Sequence, residues 1–438
     1  MVKVATLPPR PKKRAIALAG GGPAAGFHIG ALAALEESRV TFDVWALSCI
    51  GAWVGVYYNQ LTGEGKAART YEFFKEHAFR DTESYRGFPV NKAFAPNLEA
   101  YATAWLAHSL SPQTYWDVFN FGKELPDMAK GWARFLTTPE MWVRDGDRNA
   151  HVLNNILAVH PMSRYLTSLL YLSDINGLSN IYYKESSFLD GIQIGKLDLI
   201  DGENLDQMSR KDLTELAERD KKDPIKRNQR TMPEIYHNAW RLADPDQGIA
   251  SGSLQLFNNK WLNYRHNYRH KGKPRDYFPI TRASLCACSA LPYIEQTVQI
   301  PNDDGRQYSE GALVDTVNFR DLVEDHPDLD EIWVCRIADN QQVRLPKNLH
   351  DSLGNLCEQF AAEVGENDIK LFKTHLRKSV GRIPRVVEIP LKEKTEINYR
   401  WDHANLKRGY DEGYEAVKKL MAQQTELAEY ETSLPRWP

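Results

Sequence analysis

The sequence predicts an α/β protein with a mostly parallel sheet covered by helices on both faces, and three stretches carry that prediction. Two short apolar runs, "AIALAG" (Ala15 to Gly20) and "FDVWALS" (Phe42 to Ser48), read as buried strands. Each is followed closely by a helical pattern, "FHIGALAALEES" after the first and "GAWVGVYYNQL" after the second. A late apolar run, "LDEIWVCRIA", returns as a further core strand. Buried strands alternating with helices imply crossover connections and a sheet hidden on both sides.

The remaining elements follow in chain order. From about residue 67 to 160 the chain reads as a helical insertion rich in aromatics, including Trp105, Trp116, Trp132 and Trp142. Such a region can supply a lid or acyl tunnel, although aromatics at helical spacing are more often plain core. β character returns at "RYLTSLLYLSDIN" and "NIYYKES". Residues from about 201 to 230 are strongly charged and predict an exposed helix with a solvated end. "YFPITRASLCACSALPYI" predicts a helix ending at Pro292, and "TVQI" with "RQYSEGALV" predicts a hairpin around "PNDDG". "LKRGYDEGYEAVKKLMAQQTELAEY" closes the chain as an amphipathic helix. The simplest organisation is one domain over 1–438, with its core in 14–66 and 165–420.

Composition narrows the function. A chain of 438 residues with 42% hydrophobic content can bury a large core. Its net charge of −3 gives no reason to expect nucleic acid as a partner. The five cysteines are odd in number and lack a disulfide framework, which predicts reduced thiols and a cytoplasmic protein. Cys286 and Cys288 form a C-x-C with no zinc-finger partners nearby, so neither a metal nor a cofactor is expected. No run is long enough to span a membrane, and the basic, proline-rich start lacks the pattern of a signal peptide.

Three stretches can carry chemistry. "GGGPAAGFHIG" (Gly20 to Gly30) lies between a strand and a helix, where backbone N–H groups can hold a phosphate or an oxyanion. It matches neither the Walker pattern nor a correctly spaced G-x-G-x-x-G. "FDVWALSCIGAWVG" has the form of a strand turning sharply into a helix, as in G-x-S-x-G nucleophile elbows. Centring that pattern on Cys49 keeps its second glycine, Gly51, whereas centring it on Ser48 keeps neither. A thiol at a helix N-terminus is expected to have its thiolate favoured by the helix dipole. A buried structural cysteine is the plain alternative. The third stretch, "RQYSEGALVDTVNF", sets an acid before Gly-Ala at a strand end.

Taken in this order, the stretches resemble the patatin-like phospholipase family, whose fold is related to that of cytosolic phospholipase A2. "IALAGGG…GFHIGALAALEE" resembles the family's oxyanion loop and first helix, and "FDVWALSCIGAWVG" its elbow. "ITRASLCACSALPYIEQTVQI" and "YSEGALVDTVNF" resemble the segment leading to its acidic motif and the motif itself. The closing helix is also similar, so the resemblance brackets about 14–420. It implies a three-layer α/β sandwich and a nucleophile–acid dyad without histidine. Carried over by residue, the nucleophile falls on Cys49 instead of serine and the acid on Glu310 instead of aspartate. The oxyanion hole falls on Gly21 and Gly22, while Ala24 and Ala25 replace the usual basic residue and glycine, and Leu47 replaces the elbow's first glycine.

A Cys–Glu pair retains a nucleophile and a base. The resulting expectation is an acyl-transfer or condensing enzyme working through a thioester on Cys49, with a fatty-acyl ester or thioester donor, CoA- or carrier-protein-bound thioesters included. The alternatives are a lipid acyl hydrolase using the same pair, and a lipid-binding or scaffold protein with a dead elbow and peripheral membrane contact. Arg265, Arg269 and Lys271, in "NYRHNYRHKGKPR", form a candidate anion-binding patch that is as readily a solvated basic loop. His28 is expected to be structural, and Asp315 is the fallback acid.

Overall fold

The computed structural model describes residues 12–87, 90–112 and 176–433, less 183–185, 198, 200–201, 223–231, 268, 271–272, 275–276, 320, 340–341 and 379–382, with isolated positions between 114 and 169. The chain divides into two compact units, one of residues 1–95 with 181–438, the other of residues 96–180.

The first unit is built on an eight-stranded sheet. Its strands are β1 (Arg14–Leu18), β2 (Val44–Leu47), β3 (Glu234–Arg241), β4 (Ser253–Asn258), β5 (Val298–Ile300), β6 (Arg306–Glu310), β7 (Glu331–Cys335) and β8 (Arg385–Ile389). The order is β5-β6-β3-β2-β1-β7-β8, with β4 also paired to β3. Strands β3, β2, β1, β7 and β8 run parallel. β4 and β6 run antiparallel to β3, and β5 antiparallel to β6. The sheet is therefore mixed and mostly parallel, as expected. β2 and β7 are buried along their whole length, which is why they read as unbroken apolar runs.

The helices that matter for the site are α1 (Ala25–Glu37), α2 (Ile50–Gln60), α3 (Lys66–His77), α4 (Arg210–Lys222), α5 (Arg282–Cys288), α6 (Leu349–Lys378) and α7 (His403–Ser433). The strand order reverses at β1, which lies between β2 and β7. In open α/β sheets the crevice at the carboxyl ends of strands beside such a reversal is the preferred ligand site. The glycine loop leaves β1 there, and the elbow leaves β2 beside it.

Helix α1 is locked to α7 through glycines on both. A Cβ on Gly26 would stand 2.2 Å from the Leu406 carbonyl oxygen, and one on Gly30 1.9 Å from that of Tyr410. Reciprocally, a Cβ on Gly413 would stand 2.1 Å from the Phe27 oxygen. Gly26 is thus a helix-packing residue and not a displaced member of the anion loop.

Several expectations change. The charged segment forms α4, but Leu213, Leu216 and Ala217 on one face of it are buried, so it docks on the core instead of standing free in solvent. Of the run at 164–176 that reads as β, Tyr165, Leu166 and Leu169 are helical. In the second unit, Leu98–Leu110 is helical, and Trp105 and Trp116 are 54% and 69% exposed, so these two are not core. Trp132 and Trp142 lie outside the described residues.

The α1–α7 contact yields a stability prediction. Gly→Ala in an exposed helix usually stabilises, because alanine loses less backbone entropy. At Gly30 the clash should reverse the sign, lowering stability by about 1–3 kcal/mol as in other overpacked sites. Gly87→Ala, with open space around it, should not destabilise. Urea unfolding of the two variants checks this, and equal midpoints would refute it.

Candidate active site

The site begins with the turn out of β2. Cys49 sits at φ 48° and ψ −124°, in a region that L-residues rarely occupy, and caps the N-terminus of α2. Such strain is typically worth about 1–3 kcal/mol and persists only where neighbours enforce it. Gly51 is one enforcer, since a Cβ there would lie 2.2 Å from the Leu18 carbonyl oxygen. Leu47 departs from the elbow pattern without disturbing it. Gly55, one helical turn beyond Gly51, leaves space that a Cβ would fill to within 2.6 Å of a Leu47 methyl. Ser48 faces away from the cavity side, donating its hydroxyl to Asn238 Oδ1 at 2.9 Å.

Glu310 arrives on the same sheet edge from the opposite direction. Leu47 pairs with His237 in parallel register, and Glu310 pairs with Ala239 in antiparallel register. β2 and β6 thus abut end to end along one edge of β3, with Asn238 at the junction. Asn238 braces both arms, because its Nδ2 also donates to the Asp315 carbonyl at 2.7 Å. Gly311 follows Glu310 because a Cβ there would meet Asn238 Oδ1 at 2.8 Å. This arrangement sets the Cys49 thiol beside the Glu310 carboxyl, close enough for each to shift the other's protonation. Asp315, the fallback acid, instead accepts the Asn318 N–H at 2.6 Å and shapes the following turn.

Burial sets the protonation states. It pushes the Glu310 carboxyl up to about 7, with the Cys49 hydrogen bond opposing the rise. Burial, and then the Glu310 charge, push the Cys49 thiol well above the ordinary thiol range. This reverses the expectation from the helix dipole: desolvation and a neighbouring anion outweigh it, and the resting group is a neutral thiol. Glu295 is a second buried carboxyl in electrostatic reach of both, raised well above the usual range by burial and then by Glu310.

The glycine loop lies against the elbow. Gly20 donates to the Thr316 carbonyl at 3.3 Å, so its N–H is used by the fold. Gly21 (φ 154°) and Gly22 (φ 54°) take conformations that favour glycine. Among the described residues, the N–H groups of Gly21, Gly22 and Ile50 have no partner. The Cys49 N–H, by contrast, donates to Cys288 Sγ at 3.0 Å. Ala24 and Ala25 lie at the start of α1, where they are buried.

These groups open into a cavity of about 370 Å³, walled largely by apolar side chains such as Trp53, Phe94, Phe188, Leu353, Leu356 and Phe360. Gly21, Gly22, Cys49, Glu295 and Glu310 all line it. His28 does not. It is buried between the Ala19 oxygen and Cys335 Sγ, and burial lowers its pKa to about 4. Arg265 also lies off the cavity lining, with its guanidinium over the Trp261 ring and a hydrogen bond to Thr214. Arg269 is in a two-residue strand paired with Lys273–Pro274, and Lys271 lies outside the described residues. Among the described residues, no cluster of His, Cys, Asp and Glu is arranged to hold a metal.

Sequence reasoning missed Asn238, Ile50, Glu295, Cys288 and the Thr316 hydroxyl, which is buried without a partner beside Gly20. Only the Ile50 amide had a usable signal, as the residue after an elbow nucleophile.

A family model described as patatin-like phospholipase matches residues 16–323, which include the glycine loop, Cys49 and Glu310. Among solved structures, the chain is similar to VipD from Legionella pneumophila at 11% identity and a TM-score of 0.31, covering 93% of this chain and 67% of that one. No curated protein matches it in sequence.

The Asn238 brace is testable. Asn238→Leu removes two buried hydrogen bonds and leaves the Ser48 hydroxyl and the Asp315 carbonyl with only their own longer contact of 3.4 Å, which should cost about 1–3 kcal/mol in all. Urea denaturation measures the loss, and wild-type stability in the variant would show that the brace is dispensable.

Proposed function

The chain belongs to the patatin-like phospholipase family, and from that premise we propose that it cleaves lipid acyl esters through a thioester on Cys49. The observation that carries this reading is the Cys49 thiol and the Glu310 carboxyl brought side by side at a strained elbow, both lining one apolar cavity. Glu310 takes the Sγ–H proton as sulfur attacks the acyl carbonyl carbon. The amides of Gly21, Gly22 and Ile50 receive the developing oxyanion, a form of stabilisation worth about 100- to 1000-fold per donor in other enzymes. The acyl chain lies in the apolar cavity. The ester C–O bond breaks and the alcohol leaves with a proton from the site; water then attacks the thioester, gives the site a proton in exchange and releases the acid, with the proton on Glu310 returned to sulfur.

A second reading is transfer of the acyl group to an amine, alcohol or carbon nucleophile. It is supported by the sulfur itself, since a thioester passes its acyl group on more readily than an ester, and by the cavity's largely apolar walls. A CoA or carrier-protein donor gains no support from Arg265, which is engaged elsewhere. The dead-elbow reading sits poorly with the strain, the positive-φ glycines and the thiol–carboxylate pair being kept together. A cytoplasmic setting is consistent with five free cysteines. Among the described residues no helix is long and apolar enough to cross a membrane, so lipid contact would be peripheral or through the cavity.

The test is intact-protein mass after exposure to acyl esters and acyl thioesters. An acyl adduct is expected on the wild type and on Ser48→Ala, and none on Cys49→Ala. Free acid formed in water alone indicates the hydrolase, and adduct decay that requires an added acceptor indicates the transferase. No adduct and no free acid from any donor would overturn both.

A further inference from the structure

The cavity contains a carboxyl that the Cys49–Glu310 pair does not use. Glu295 lies at the end of a short strand, Tyr293–Glu295, whose residues pass from exposed to buried. The residue is 3% exposed and lines the same cavity as Cys49 and Glu310. Among the described residues, its Oε2 is buried without a hydrogen-bond partner. An unpaired buried carboxyl oxygen carries an appreciable desolvation cost, and a substrate atom can supply the missing partner.

The charged and titratable groups facing it are Glu310, Cys49 and Cys286. None is a cation that would hold Glu295 ionised. Burial and the Glu310 charge keep it in its acid form. Two adjacent carboxyls in one dry site rarely ionise together, so one proton is shared between two roles. Glu310 is the member already engaged with sulfur, which leaves the proton on Glu295.

We propose that Glu295 is a further catalytic residue, the general acid that protonates the oxygen of the departing alcohol when Cys49 is acylated. The proposal rests on the acyl-Cys49 reading and accounts for every proton in it. The cycle starts with Glu310 ionised, Glu295 protonated and Cys49 as thiol. In acylation the thiol proton passes to Glu310 and the Sγ–C bond forms. The ester C–O bond then breaks while Glu295 gives its proton to the leaving oxygen. In deacylation the ionised Glu295 takes a proton from the attacking water or acceptor. Glu310 returns its own proton to sulfur as the S–C bond breaks. The site is restored with no proton gained or lost. An ordinary alkoxide is a poor leaving group, which gives this donor its use. Glu358 also lines the cavity, but it does not act electrostatically on Cys49 and has no place in the cycle.

The test compares two acyl donors with the same chain, an alkyl ester and a p-nitrophenyl ester whose leaving group departs without a proton. Acylation of Cys49 is followed in single turnover for wild type and Glu295→Gln. The ratio of alkyl-ester to p-nitrophenyl-ester rates should fall about 100-fold or more in the variant, the usual contribution of a positioned acid. p-Nitrophenyl-ester acylation in the variant also shows that the protein is folded. A ratio equal to the wild-type value would overturn the proposal, whether both rates fall together or neither falls. In the wild type, alkyl-ester acylation should decline at alkaline pH while p-nitrophenyl-ester acylation does not. Parallel profiles for the two esters would also overturn it. Absence of any Cys49-dependent adduct on wild type is a different result, which removes the acyl-enzyme reading beneath.

Discussion

The site depends on one constraint in the sheet: a single edge of β3 is shared by two strands that run in opposite directions. β2 occupies the edge as far as His237, and β6 occupies it from Ala239. Neither can extend further without colliding with the other. β2 therefore turns out of the sheet at Cys49, and β6 stops at Glu310 beside it. Hydrogen bonding of the two ladders to one backbone fixes both ends in register, so the thiol and carboxylate are positioned by main-chain geometry. Asn238 fills the gap and holds each arm with one side-chain atom. Positioning of this kind, on strands and not on flexible loops, gives a catalytic pair its accuracy.

Burial then decides what the pair can do. In a dry cavity every charge is disfavoured, so the carboxyls rise, the thiol rises and His28 falls. A resting thiolate–cation pair of the papain type has no support here, because among the described residues the groups acting on sulfur are Glu310, Cys288 and Glu295, none of them a cation. The remaining route is proton transfer to Glu310 in step with attack. The glycine loop completes the site, since amides with no partner become stronger donors where water is excluded.

Much of this was legible in the sequence, and the failures share a cause. The elbow could be read because Gly51 follows an apolar run, and Glu310 because its glycine and the hairpin before it are local signals. β3 was missed: "EIYHNAWR" carries His237 and Asn238 in its middle, and polar residues there argue against a buried strand. Their partners, Ser284 for His237 and Ser48 for Asn238, lie far away in sequence. The long helix α6 and the edge strand β8 were missed as well. Gly26 looked like a loop glycine until Gly409 and Gly413 on α7 showed what it packs against. The thiol's protonation was misjudged because a helix terminus is visible in sequence and depth of burial is not. For the basic patch, the engagement of Arg265 with Thr214 could not be read, because Thr214 lies far away in sequence.

The central claim is that Glu310 accepts the proton of Cys49, and the pH dependence of single-turnover acylation tests it most directly. Burial raises Glu310 to about 7 and the thiol well above its usual range, so with the p-nitrophenyl ester the carboxylate form, and with it the rate, should rise through about pH 7 to a plateau. Glu310→Gln should lose that rise together with most of the rate. A wild-type profile that is flat through neutrality, or a Glu310→Gln profile that keeps the same midpoint, would contradict the account.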